Sequence, residues 1–151
     1  MILALGIAAA ILLVLTEVTT LYEIEVETAS CSDLADPDQA DKCETTGGEQ
    51  HSFALIPVAL LVVVMAVGAG LGGSRPAGIA LVAAGIIVLA FALIADLPDT
   101  TETGEIGSNF ASAEAVKGTG FWLEIGGGVL ALLAGSLRLA DRRGERLSRA
   151  T

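Results

Sequence analysis

Basic residues are scarce: eight lysines and arginines stand against eighteen acids over 151 residues, giving a formal net charge of −10. A surface of that sign repels polyphosphate, which excludes nucleic acid as a partner. Two cysteines are too few for a disulfide-dense mini-protein, and they lack haem or iron–sulfur spacing. Charged residues make up only 17% of the chain, where soluble domains carry about 25%. Aromatics are down to 4% and histidine to one, His51, with no serine or cysteine nucleophile paired to it by motif. There is no P-loop, no GxGxxG after a strand, no repeat and no collagen period, so an enzyme is not expected. What is abundant is apolar, 53% of residues, together with eighteen glycines. A small integral membrane protein remains.

A helix rises about 1.5 Å per residue, so crossing about 30 Å of hydrocarbon takes roughly 20 apolar residues. Four segments meet or approach that length: 2–21, 53–73, 77–95 and 118–137. Pro57 falls in the first turns of the second, where proline disturbs a helix least. The expected fold is a membrane all-α four-helix transmembrane bundle forming one domain over 1–151, with outer loops 22–52 and 96–117 and a tail 138–151. Arg75 stands alone in the turn between helices 2 and 3, and the tail carries Arg138, Arg142, Arg143, Arg146 and Arg149. Basic residues near membrane ends stay cytoplasmic, which puts that turn and both termini inside and predicts a multi-pass plasma-membrane protein. Met1-Ile2-Leu3-Ala4 lacks the basic start and cleavage site of a signal peptide, so helix 1 is expected to stay uncleaved.

The outer layer should be a small β-containing cap. Tyr22, Ile24 and Val26 alternate with Glu23, Glu25 and Glu27, the period of a half-buried strand. A lone strand has no pairing partner, so a return is expected between Cys43 and His51, around Gly47-Gly48. Cys31 and Cys43 face an oxidising compartment, where a disulfide persists. Closing that loop should stabilise the cap by roughly 3 kcal/mol in the chain-entropy picture. The acidic run between them fails the EF-hand pattern: Ala35, Pro37 and Asp38 occupy positions that need ligands or glycine. It reads as a solvated turn.

Glu17 and Glu124 are the acids inside the expected spans, a candidate intramembrane polar site because proton and cation pathways use such carboxylates. Tyr22, Phe53 and Trp122 mark the same depth as an aromatic belt, so both glutamates are expected to reach the headgroup region. A sharper reading has them line one outward-facing notch between helices 1 and 4. Arg138 follows Glu124 at about 21 Å along the axis and should snorkel inward. His51 beside Glu49 makes only two possible ligands, so no metal site and no cofactor are expected. Gly6 with Ala10, Gly68 with Gly72, and Gly127, Ala131 and Gly135 have the small-residue spacing that lets helices approach closely.

Four helices with both ends inside, a strand leaving helix 1 and a two-cysteine outer loop resemble the claudin-type tetraspan architecture. The run Gly120-Phe121-Trp122-Leu123-Glu124 into Gly126-Gly127-Gly128 is similar to that group's fourth helix. The claudin first-loop tryptophan signature is missing here, so no pore or junction residue carries over. Asp96-Leu97-Pro98-Asp99, Thr103-Gly104, Phe110 and Gly120–Glu124 are also similar to small bacterial four-helix membrane proteins, a likeness that implies no activity. The function expected is a non-enzymatic accessory or structural component presenting an acidic extracellular cap. The alternatives are a small cation- or proton-coupled transporter using Glu17 and Glu124, and a subunit of a larger membrane complex. The partners implied are the lipid bilayer and other membrane proteins or further copies of the chain.

Overall fold

The first helix, α1 (Ile2–Val18), stops sooner than its hydropathy suggests. In a computed structural model of the chain, which describes residues 1–27, 29–30, 43–100, 103 and 112–148, Thr19 turns extended at φ −113° and ψ 156°. The Thr16 and Thr19 hydroxyls donate back to the carbonyls of Leu12 at 3.0 Å and Leu15 at 2.9 Å. β-Branched residues are stiff in helices and fit strands better. The chain therefore runs directly into β1 (Thr20–Val26), and Leu21 belongs to a strand rather than to the expected span.

β1 lies at the centre of a four-stranded antiparallel sheet. β2 (Ala29–Ser30) and β3 (Glu44–Thr46) share one edge, and β4 (Ala113–Lys117) follows the other from Val26 to Tyr22. The expected return is β3; β4 adds a strand that the alternation in the first loop gave no hint of. Ile24 and Val26 are buried, with Cys43 packed on Ile24. Leu21 is buried as well despite its opposite parity, because the β1–β3 register shifts between Thr20 and Tyr22. Glu23 stands opposite Glu44, and Glu25 opposite Glu114. Cys31 and the acidic turn 32–42 lie outside the described residues; among the described residues no free cysteine occurs.

Thr46 caps the short helix α2 (Gly47–His51) reciprocally with Glu49. Ser52 and Phe53 then take left-handed backbone, at φ 51° and 60°, which delays α3 (Leu55–Gly70) past the expected start at 53. Gly73 makes the following turn at φ 62°, and Ser74 caps α4 (Arg75–Phe91), with Pro76 in its first turn. Helix 3 does not end at Ala95 as expected. A π turn over Ala92–Asp96 and the short α5 (Leu97–Asp99) continue it. α6 (Thr119–Ser148) starts straight after β4 and runs through the expected tail.

α6 packs on α1 and α4, and α3 packs on α1 and α4, which closes a ring. The β1–β4 pair extends the α1–α6 contact beyond the helix ends. The interior is made largely of small residues, among them Ala9, Ala10, Ala59, Ala66, Ala84, Ala131 and Ala134. Large apolar side chains point outward instead, such as Ile11, Leu60, Leu61, Ile86, Ile87 and Ile94. Two helical stretches, Arg75–Asp99 and Thr119–Asp141, are long and apolar enough to cross a membrane. α1 and α3 are apolar but shorter, at 17 and 16 residues.

The small-residue rows divide. Gly6 lies against Ala66, while Gly127 lies against Leu13 and the Ala9 carbonyl. Ala10 and Ala131 are in the core, and Gly135 meets the Gly78 carbonyl of α4. Of the Gly68–Gly72 pair, Gly68 alone lies at a contact between helices. Gly68 faces Ala77, and Gly72 lies beyond the end of α3, against the carbonyl of Gly68 itself.

Candidate cation site

Four ionisable side chains come together at the sheet-bearing end of the helices. Glu17 is at the end of α1, His51 ends α2, Asp96 ends the π turn and Glu124 lies in the second turn of α6. Glu17 is 2% exposed, and Asp96 and Glu124 are both 0% exposed. Both glutamates are enclosed by protein, a burial that the sequence did not suggest. Its reason lies in the cap, since α2 and the sheet cover the helix ends that the sequence left open.

Glu17 has a partner. Its Oε1 accepts the Leu55 backbone N–H at 2.6 Å, capping α3, whose own N-cap residue Ala54 offers no side-chain bond. A carboxylate suits that position because the first amides of a helix are unpaired and partly positive. The local fold is arranged for it: a Cβ on Gly48 would stand 2.8 Å from the Glu17 carbonyl oxygen. Glycine there lets α2 rest on the end of α1.

The other three groups form a tighter set. His51 Nε2 and Asp96 Oδ1 are 3.0 Å apart. One possible ligand atom from each of His51, Asp96 and Glu124 lies within 4.8 Å of the other two. Both Glu124 oxygens, Asp96 Oδ2, His51 Nδ1 and Glu17 Oε2 are buried without a hydrogen-bond partner. Phe91 packs edge-on against the imidazole with ring centroids 5.5 Å apart, and Gln50 donates to Asp99 at 2.5 Å, tying α2 to α5.

The sequence suggested neither Asp96 nor the pairing of His51 with it. In a uniform α-helix Asp96 would fall roughly 80° round from Val88, off the buried face. The wider π turn takes back part of that rotation, so that Val88, Ala92 and Asp96 are all buried at steps of four. The usable signal was an acid continuing a buried i, i+4 row past the apolar run. Glu49, the neighbour considered as a second ligand for His51, is elsewhere. It is exposed, and hydrogen bonds from the Thr46 backbone and then its hydroxyl hold the carboxyl below the ordinary value of 4.5.

Of the remaining marked residues, Trp122 and Phe53 are exposed near this end, and Tyr22 is half-buried in β1. Arg138 sits at the other end of α6 and donates to the Gly73 carbonyl of the α3–α4 turn. Against known proteins, a scan of family models, a search of curated proteins and a search of solved structures each found no match.

Proposed function

We propose that the chain is a multi-pass plasma-membrane protein that admits a cation into a buried carboxylate–imidazole chamber beneath an acidic extracellular cap. The observation that carries this reading is the cluster of Asp96, Glu124 and His51, enclosed by protein with unpartnered polar atoms. Burying two carboxylates close together with three of their four oxygens unpartnered is costly, and a bound cation removes that cost. Such a group costs stability when empty and suits the holding of a positive ion.

All four long helices cross the bilayer in this reading. Its support is their exterior: α1 and α3 expose Ile7, Ile11, Leu60, Leu61 and Val64 just as α4 exposes Ile86 and Ile87. A water-facing patch of that extent would aggregate. Thr119–Asp141 and Arg75–Asp99 set the thickness, and the cap shortens the hydrocarbon that α1 and α3 need to span. The α3–α4 turn and both termini are cytoplasmic, on the argument from Arg75 and the arginine-rich tail. Glu23, Glu25, Glu44 and Glu114 of the sheet then face outward and concentrate cations at the mouth.

Reconstitution in liposomes tests this. Vesicles carrying the wild-type protein and loaded with pH- and divalent-sensitive dyes should admit cations, and Asp96→Asn and Glu124→Gln should reduce entry at least tenfold. No entry of any cation with the wild-type protein overturns the reading. An accessory role remains the second reading, favoured by the four-stranded cap fastened to α1 and α6. It includes a Cys31–Cys43 disulfide. Unchanged melting of a Cys31→Ser, Cys43→Ser double variant would remove that structural role.

A further inference from the structure

Resting on the reading above, we propose that His51, Asp96 and Glu124 bind a divalent first-row transition ion of the zinc class. Ligand atoms around a tetrahedral ion with bonds of about 2.0–2.2 Å stand roughly 3.3–3.6 Å apart. The three groups already lie within 4.8 Å of one another, and His51 Nε2 and Asp96 Oδ1 are at 3.0 Å. Small side-chain shifts reach the bonding geometry from there.

Three further observations point to such an ion. First, the donors are idle: both oxygens of Glu124 and Asp96 Oδ2 are buried with no hydrogen-bond donor facing them. A carboxylate held this way for structure alone would be matched by a backbone amide, as Glu17 is by Leu55. Secondly, charge matches: two carboxylates and a neutral imidazole balance a divalent ion, so the filled site is neutral in a low-dielectric interior. Thirdly, the donor set selects. An imidazole disfavours magnesium and calcium, which take oxygen shells, and the set contains no thiolate to favour a soft monovalent ion. Three protein ligands leave one position open, the arrangement of a site that exchanges a water or a passing ligand rather than a closed structural one.

The ligands come from three separate elements, α2, the π turn and α6, so binding ties the cap to the helices. Coordination through Nε2 replaces its contact with Asp96 Oδ1 and leaves the ring proton on Nδ1, which is buried and faces no acceptor. Phe91 closes one side of the ring and leaves the Asp96 side for the metal.

Full-length protein in nanodiscs, titrated with zinc chloride alone and then dialysed, tests the assignment. The expected result is roughly one ion retained per chain with three protein ligands, insensitive to excess magnesium or calcium. His51→Ala, Asp96→Asn and Glu124→Gln should each weaken binding at least tenfold, with Asp141→Asn, exposed far along α6 from the site, close to wild type. Because a variant in the core can fail to fold, zinc K-edge absorption of the loaded wild-type protein supplies an independent readout. It should show one imidazole nitrogen and otherwise oxygen. No retained zinc, a sulfur-containing shell, or folded variants binding like wild type would overturn the proposal. Metal binding without flux leaves this site standing and removes the transport reading; proton entry without metal binding does the reverse.

Discussion

Glu17 shows how a residue chosen on chemical grounds can turn out to serve two ends. A glutamate near the end of an apolar helix was legible as exceptional from composition alone. Its partner was not, because Leu55 is 38 residues away and donates from its backbone, which leaves no trace in side-chain type. The same holds for Asp96, which stands just before Leu97-Pro98, a normal end to a helix. The helix nevertheless carries on one residue past Pro98, to Asp99. The capping geometry makes a graded prediction. Glu17→Ala leaves the Leu55 N–H buried without an acceptor, at a cost of about 1–3 kcal/mol. Glu17→Gln retains an amide oxygen at that position and loses only the charge. Denaturation in detergent should rank wild type above Gln and Gln above Ala, and an Ala variant as stable as wild type would show that the cap contributes nothing.

At the scale of elements, the apolar periodicity located all four long helices but not their ends. Those ends are set by tertiary events: Thr19 entering the sheet, the left-handed pair Ser52-Phe53, and the π turn before Asp96. β1 was legible because its glutamates alternate. β4 was not, since Ala113–Lys117 is short and gains its meaning only from pairing along β1. Helix contacts likewise depend on which glycines face backbone. A Cβ on Gly85 would stand 2.6 Å from the Leu132 nitrogen and 2.7 Å from the Gly128 carbonyl, so α4 and α6 would have to separate. On Gly126 it would meet only the end of Leu12, at 3.2 Å. Gly85→Ala should therefore cost about 1–3 kcal/mol and loosen the Asp96–Glu124 approach. Gly126→Ala should be neutral or gain up to about 1 kcal/mol from helix propensity. Thermal melting of the two variants side by side decides it, and equal losses would mean that packing at Gly85 is less close than the backbone contacts imply.

For the molecule as a whole, charge is divided along the helix axis, and that division was readable before any coordinates. Glu23, Glu25, Glu44 and Glu114 lie in the sheet at one end, while Arg75 and Arg138 lie at the other, Arg138 clasping the Gly73 carbonyl beside the α3–α4 turn. One refinement matters: Asp96, which belongs by sequence to the acidic outer loop, is withdrawn into the protein interior. The outer surface thus loses one charge, and the chamber gains it. If basic residues hold their side of the membrane, Ser74 at the α3–α4 turn is cytoplasmic and Ser112, next to β4, is outside. In a Cys31→Ser, Cys43→Ser background, Ser112→Cys should react with a membrane-impermeant maleimide on intact cells. Ser74→Cys should react only after permeabilisation. The opposite pattern would place the acidic sheet and the mouth of the chamber in the cytoplasm, where a cation-concentrating face would draw on the reduced interior pool rather than on the medium. Labelling of both sites from outside would mean that α4 does not cross between Ser74 and Ser112, and the four-crossing topology would fall with it.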